Sequence, residues 1–563
     1  MANEHAPYHP IIYVRGFAGT QGEIEETVGD PYMGFNIGST KSRQIWDGSM
    51  RRFFFESPLV RLKDELVWKR TATGTVRSES RYDDVYVNGE DLTAADPRDA
   101  SKPLRSDITL PYQSIAILRY YDDASVDFGD GNSHPITQFA QGLGALILRL
   151  RTLVCRKGGQ HPITGDPLDN HVDEKDFRVY LVAHSMGGLV CRAFLQNPDP
   201  VLSSPEARAT VDKVFTYATP HNGIDLRVVR NVPGWSALGE ATNFNRQKMA
   251  SYLGLSSAAT DVSELKNISA ERVFNLVGTN PADYLSLKGL SSWAVGDASD
   301  GLVRIDNATT FGIHTVTNER VESPRAFVHR SHSGQYGVVN SEEGYQNLTR
   351  FLFGSVRVDG ILDVNDVTLP AEVEAEYLKN KNSVRASYRF EIVATIRGSQ
   401  WQLHRRAVRE NSAIQRTYDE LFPTGVDGKR APSKQGSPHL FSIFLDPTKS
   451  LSSLTKSIAF AFDLAILVPD YQIDGVLWLN KHFEGGYLYR ELIVVEATPD
   501  IQSPAGWKLA HGFQNQTPNV AATPSSAVLT PTGTLTFSIP VQSRQGVRPG
   551  IGAALRIEMR TWS

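Results

Sequence analysis

Cysteine is almost missing from this chain: 563 residues include two, Cys155 and Cys191. Two thiols cannot make a disulfide framework or a Cys-rich zinc site. Both sit in apolar, helix-like surroundings, where buried reduced thiols are expected. Long apolar runs are missing too, since none reaches the roughly 18 residues that a membrane-spanning helix needs. The opening "MANEHAPYHP" has neither the basic stretch nor the apolar stretch of a secretory signal. A cytoplasmic protein is the expectation, with leaderless secretion left open. Nor is there an excess of one charge. The formal net charge is −4, and basic pairs such as Arg51-Arg52 and Arg405-Arg406 sit among mixed charges. That pattern describes a solvated face and gives no footprint for a nucleic acid.

What is present is ordinary globular material, 40% hydrophobic, 21% charged and 9% aromatic. At this length two or three domains are expected. From residue 11 to about 355, short apolar runs alternate with helix-like segments, the pattern of an α/β fold with a mostly parallel sheet. The strand candidates are Ile11 to Gly16, Ser114 to Tyr121, Arg178 to Ser185, Lys213 to Pro220 and Arg272 to Gly278. Ile136 to Arg156 has apolar residues at helical spacing and suits a crossover helix. Two stretches interrupt the rhythm: a polar insertion at about 20–110, and a mixed segment at about 225–270 that reads as a helical lid or as an ordinary packed excursion. From 356 to 563 alternation replaces helical spacing, for example in Ala386 to Gly398, Gly486 to Thr498, Gly533 to Val541 and Ala553 to Trp562. An all-β, sandwich-like C-terminal domain follows from that pattern.

The stretch "VYLVAHSMGGLVCRAFL", Val179 to Leu195, passes from an apolar strand through a small-residue turn into a helix, with Ser185 at the apex. A serine so placed is a nucleophile candidate, because a strained strand-to-helix turn lifts its hydroxyl clear of the sheet. Small residues flank it: Ala183 two before, Gly187 two after, then Gly188. The Met186 N–H, at the start of the helix, points toward any oxyanion formed there. "PGWSALG", Pro233 to Gly239, also sets a serine among glycines, but no strand precedes it.

A serine hydroxyl needs a histidine to take its proton and an acid to orient that histidine, and on this kind of sheet the chain order is Ser, acid, His. "VGDASDGLVRID" offers Asp297 and Asp300, and "RAFVHRSHSGQYG" offers His329 and His332. Asp300 is preferred because it directly precedes a glycine turn. His332 is preferred because His329 is expected within the strand "AFVH" and His332 in a loop beyond it. Asp297 and His329 remain alternatives. Ser341, with Glu342 and Glu343 behind it, opens a helix after that loop. A second oxyanion donor is expected from the loop after the first strand, "VRGFAGT", with the Phe17 N–H first and Ala18 second. His184, His221 and His314 read as structural or site-lining.

Taken together, "VRGFAG", "VAHSMGG", "YATPHNG", "SDGLV" and "HSGQYGVVNS" resemble the α/β-hydrolase superfamily, in particular its lipase and esterase branch, including the inositol-deacylase-like lipases. The resemblance covers residues 9 to 355. It implies Ser185 as nucleophile, Asp300 as acid, His332 as general base, and the Phe17 and Met186 amides as oxyanion hole. It also implies that the stretch Thr219 to Gly223 shapes the pocket floor, so Arg15, Gly16, His184, Pro220 and His221 are the substrate-pocket candidates. Arg15 departs from the family pattern, which has histidine at that place. The implied activity is hydrolysis of carboxylic esters of lipid or medium-chain acids, with no cofactor and no metal. Amidase, thioesterase and acyltransferase chemistry on the same residues, or an inactive binding module, are the alternatives. Peripheral contact with a membrane or lipid surface is left open, as is dimer formation through residues 360 to 563.

Overall fold

In the computed structural model the described residues are 7–16, 21–30, 32–35, 39–44, 49–55, 57–64, 66–70, 76–83, 85–87, 107–121, 124–126, 132, 134–224, 244–281, 298–334, 336–379, 384–397, 399, 401–446, 456–473, 481–503, 506–514, 523–524, 527–531 and 533–563. Phe17, Ala18, Asp297 and residues 225–243 of the expected lid lie outside them. Contacts divide the chain into two units, 1–325 with 329–348, and 326–328 with 349–563.

The first unit is an α/β fold built on a parallel sheet. Its described strands are β1 (Ile11–Val14), β2 (Val85–Val87), β3 (Ile115–Leu118), β4 (Val179–His184), β5 (Val211–Tyr217) and β6 (Val273–Gly278). They lie in the order β6-β5-β4-β1-β3-β2, and every neighbouring pair is parallel. Ile11, Ile12, Leu181 and Val182 are completely buried, as are most residues of these strands. Continuous apolar runs of this kind are what a parallel sheet covered on both faces requires.

Helix α1 (Ile136–Val154) joins β3 to β4 and buries Phe139, Leu143, Leu146, Ile147 and Leu150, a stripe at helical spacing. Full burial of each of the larger side chains is worth about 1.5–3 kcal/mol. Gly144 lets α1 approach helix α2 (Met186–Gln196) closely, since a methyl there would lie 3.1 Å from the Phe194 ring. Every residue of α2 is buried. Of the cysteines, Cys191 is buried on α2 and Cys155 is partly covered at the end of α1; burial raises both thiols, Cys155 to about 12. Among the described residues no helix is long and apolar enough to cross a membrane.

The stretch 20–110, expected as a polar insertion, follows β1 and precedes β3. It holds helices Gln21–Gly29 and Pro58–Asp64 and two antiparallel hairpins, and it also supplies β2 to the main sheet. Three residues with one polar neighbour on each side are too short a run to register as a strand in the sequence. In the described part of the expected lid, residues 244–270, the chain forms one helix, Arg246–Tyr252.

The second unit is β-rich. Five antiparallel strands run in the order His439–Leu445, Val356–Thr368, Gly550–Thr561, Leu535–Gln542 and Val528–Leu529. A second antiparallel sheet centres on Val384–Ile396, Ile458–Ile473, Lys481–Pro499 and Trp507–Phe513. Alternate residues such as Phe390, Ile392, Phe460, Phe462, Leu464, Leu555 and Ile557 point inward from both sheets into one buried cluster. The other face of the first of these sheets carries a charged cluster. Asp359 accepts from Ser442 at 2.6 Å and pairs with Arg357 at 2.8 Å and Arg560 at 3.1 Å.

Candidate active site

Strand order locates the crevice. From β1 the chain turns to one side to make β2 and β3, and then to the other side to make β4, β5 and β6. The switch falls between β1 and β4, and the carboxyl side of such a switch point is the usual place for a ligand on an open α/β sheet. Val14 pairs with Ala183 in register. Arg15-Gly16 and His184-Ser185 therefore leave the sheet side by side.

Ser185 sits between β4 and α2 with φ 51° and ψ −123°. For a non-glycine residue this backbone costs of order 1–3 kcal/mol and persists only where the surroundings impose it. The Ser185 N–H donates to the Tyr217 carbonyl of β5 at 2.8 Å. Neighbouring glycines make the turn sterically feasible. A Cβ on Gly187 would lie 2.3 Å from the Val14 carbonyl oxygen, and one on Gly188 would lie 2.1 Å from Thr219 Oγ1. The small residues read from the sequence are thus places where β1 and the end of β5 close on the turn.

The three residues chosen as nucleophile, base and acid come together. His332 Nε2 lies 2.8 Å from Ser185 Oγ, and His332 Nδ1 lies 3.0 Å from Asp300 Oδ2. A carboxylate accepts, so Nδ1 carries the proton and Nε2 presents its lone pair to the serine hydroxyl. Asp300 Oδ1 accepts from the Leu302 and Val303 N–H groups at 3.0 and 2.8 Å, and the His332 N–H donates to the Asp300 carbonyl at 2.9 Å. All three side chains are buried. Gly278, closing β6, leaves room for this arrangement, because a Cβ there would be 2.8 Å from that of Asp300.

His332 is held in a less open setting than a flexible loop. Arg330 is buried and forms an ion pair with Glu343 at 2.9 Å. Ser341 Oγ accepts from the Gly344 N–H at 2.9 Å, as a helix-opening cap does. His329, expected inside a strand, instead follows the strand Arg325–Val328 and is exposed. The run "AFVH" did not reveal where pairing stops.

The other candidates divide. Gly16 abuts the serine, since a Cβ on it would be 2.7 Å from Ser185 Cβ. Arg15 donates through Nη1 to the Met33 carbonyl at 2.9 Å, while its Nε is buried and has no partner among the described residues. Met186 is the first residue of α2, where N–H groups have no acceptor within the helix. His184 points back at the base, with Nε2 2.9 Å from the His332 carbonyl oxygen. Burial, reinforced by the neighbouring His332 and Arg15, pushes its pKa well below the usual histidine value. Pro220 and His221 are buried; His221 Nε2 lies 3.1 Å from Thr216 Oγ1, and burial together with Arg192 keeps its ring neutral. His314 is exposed, and its Nδ1 accepts from the Thr317 N–H at 3.1 Å.

Two supporting residues were missed in the sequence. The Tyr120 hydroxyl, just past β3, donates to the Arg15 carbonyl at 2.6 Å, with the Gly16 carbonyl at 3.2 Å. It braces the loop that follows β1, and its position two residues beyond a strand on the carboxyl edge was the available signal. Arg192, fully buried on α2, donates to the carbonyls of His221, Val262 and Glu264, each at 2.8 Å. A helix position that reads as merely polar within an apolar stripe conceals this clamp.

No protein-family model matches the chain, and no curated protein sequence matches it. Among solved structures it is similar to the mature form of the Bacillus licheniformis lipase BlEst2, at 14% identity over 62% of this chain and 91% of that one, with a TM-score of 0.26. The propeptide form of the same lipase matches at 11% identity over 89% and 97% of the two chains, TM-score 0.26. Staphylococcus hyicus lipase matches at 12% identity over 60% and 91%, TM-score 0.24. The α/β assignment rests on the strand order and parallel register described above.

Proposed function

We propose that this protein is a serine hydrolase of the α/β-hydrolase type, a lipase or esterase that cleaves carboxylic esters through an acyl-enzyme. The observation that carries the reading is the unbroken chain from Asp300 through the His332 ring to Ser185 Oγ, at 3.0 and 2.8 Å, on a strained turn at the switch point of the sheet. In this reading His332 Nε2 removes the Ser185 proton as Oγ attacks the ester carbonyl. The Asp300 carboxylate, fixed by two backbone amides, stabilises the imidazolium that forms. The same proton then goes to the departing alkoxide, the alcohol leaves, and the acyl group remains on Ser185. Water, deprotonated by His332, attacks the acyl carbonyl and releases the acid.

The negative oxygen of each tetrahedral intermediate is assigned to the Met186 amide and to that of Phe17. One donor of this kind is worth about 2.7–4 kcal/mol in the transition state. Lipid or medium-chain acyl esters are the proposed substrates, on the apolar residues of the segment 225–270 that follows β5. The C-terminal unit is read as a β-sandwich accessory domain.

A panel of p-nitrophenyl esters of two to sixteen carbons, run beside matched anilides and thioesters, tests the assignment. Turnover of esters that peaks at medium or long chains and disappears in Ser185→Ala supports it. Turnover confined to anilides or thioesters would reassign the class, and equal activity in Ser185→Ala would remove the site.

A further inference from the structure

The residue just before the nucleophile makes a contact that the proposed reaction does not use. His184 ends β4, and its Nε2 lies 2.9 Å from the backbone carbonyl oxygen of His332, with the two ring centroids 5.0 Å apart. A carbonyl can only accept, so Nε2 carries the proton. In a neutral ring Nδ1 is then the bare nitrogen, and it faces the Cα of Gly16, where a Cβ would lie 3.0 Å away. Backbone and ring of His332 are thus tied at four points: N–H to the Asp300 carbonyl, C=O to His184, Nδ1 to the Asp300 carboxylate and Nε2 to Ser185. Of these ties, only the one from His184 joins the backbone of the His332 loop to the strand that carries the nucleophile.

We propose that His184 is a positioning residue: its ring sets the distance between His332 and Ser185 by holding the His332 carbonyl. The proposal rests on the hydrolase reading for its kinetic consequences, though not for its geometry. A histidine is suited to this place because it donates one directed hydrogen bond from a flat ring, and because neutrality matters there. When His332 becomes positively charged during the reaction, a second cation about 5 Å away would oppose it. The charged and titratable groups that face His184 are His332 and Arg15; burial and both of these charges favour its neutral form and outweigh the hydrogen bond to the His332 carbonyl, which favours the charged one. Its ring therefore stays uncharged while its neighbour cycles.

Three proteins test this: wild type, His184→Gln, which keeps an N–H donor without charge, and His184→Phe, which keeps the flat ring without the donor. Each is checked for folding by its thermal melt. In selectively 15N-histidine-labelled wild type, the His184 ring is expected in the neutral Nε2–H form throughout pH 5 to 9. In steady state His184→Phe is expected to lose about 10- to 100-fold in kcat with KM changed less than about threefold, as for a displaced catalytic group. His184→Gln is expected to recover most of that loss. A His184 ring that protonates within that range, a Phe variant with wild-type kcat, or a Gln variant as impaired as Phe would each overturn the proposal. The labelling spectrum needs no substrate, so a wild type that cleaves no ester would defeat the hydrolase reading and leave the His184 tie to be judged from its tautomer.

Discussion

Gly16 and Ser185 face each other across the ends of β1 and β4 at a separation that admits no side chain on the glycine: a Cβ there would stand 2.7 Å from Ser185 Cβ and 3.0 Å from His184 Nδ1. The loop after β1 and the turn after β4 therefore form one fitted unit. Gly16→Ala is expected to displace the serine or the loop by a few tenths of an ångström and to lower kcat about 100-fold, with the melting temperature falling only a few degrees. Steady-state kinetics beside a calorimetric scan checks this; wild-type kcat in a folded Gly16→Ala variant would show that the fit is without consequence.

In the proposed reaction Asp300, 3.0 Å from His332 Nδ1, orients the ring and balances its positive form, so Asp300→Asn is expected to keep the fold and lose about 10³- to 10⁴-fold in kcat. An amide side chain can donate to Nδ1 and so favour the tautomer that lacks the lone pair needed at Nε2. Ser185 labelling by a fluorophosphonate should slow by a similar factor. An Asn variant within tenfold of wild type would move the acid elsewhere, with Asp297 next to be tested.

Lys213 of β5 is fully buried, and burial lowers its pKa to about 7. An unfolded chain binds that proton up to about pH 10.4. Between pH 7 and 10 the unfolded state therefore holds more protons, and the contribution of Lys213 to stability rises with pH; below pH 7 its full cost is present. Lys213→Met is expected to be more stable than wild type by about 3–5 kcal/mol near pH 6, with the difference shrinking toward zero near pH 10. Denaturant melts across that range measure it, and a pH-independent difference would contradict the assignment.

In the second unit, burial would raise the Asp359 pKa, but Arg357, His439 and Arg560 outweigh it and hold the carboxyl well below the usual range. A depressed folded pKa gives stability that is present above the unfolded value near 4 and is lost as pH falls below it. Asp359→Asn is expected to cost about 3–5 kcal/mol at pH 7, because it leaves the buried Arg357 uncompensated. The gap between variant and wild type should close as both are acidified. Equal urea midpoints at pH 7 would refute this.

The legible and illegible parts of the chain differ in physical kind. Local periodicity and sterics were readable: the apolar runs Ile11–Val14 and Val179–His184 announce central parallel strands, and "AHSMGG" announces a strand-to-helix turn that only small residues can flank. Chain order then offered Asp297 or Asp300 and His329 or His332 as partners of Ser185, local turn and loop context favoured Asp300 and His332, and the structure brings the side chains of those two within hydrogen-bond reach. What stayed hidden depends on contacts distant in sequence. The place of Tyr120 just beyond a strand hints at the carboxyl edge, but not that its hydroxyl braces Arg15 and Gly16, about a hundred positions back. Val85–Val87 is a strand only because β3 offers it an edge. His329 and His332 are three residues apart, yet one is exposed and the other buried, a distinction made by the Asp300 and Gly278 backbones rather than by local composition.

The most direct test of the account is mass-spectrometric mapping of the site labelled by a fluorophosphonate in wild type, Ser185→Ala and His332→Ala. The account predicts a single phosphonylated peptide bearing Ser185 in wild type, no label in Ser185→Ala, and labelling slowed at least 100-fold in His332→Ala. Label on another serine, or none on Ser185 in folded protein, would contradict it.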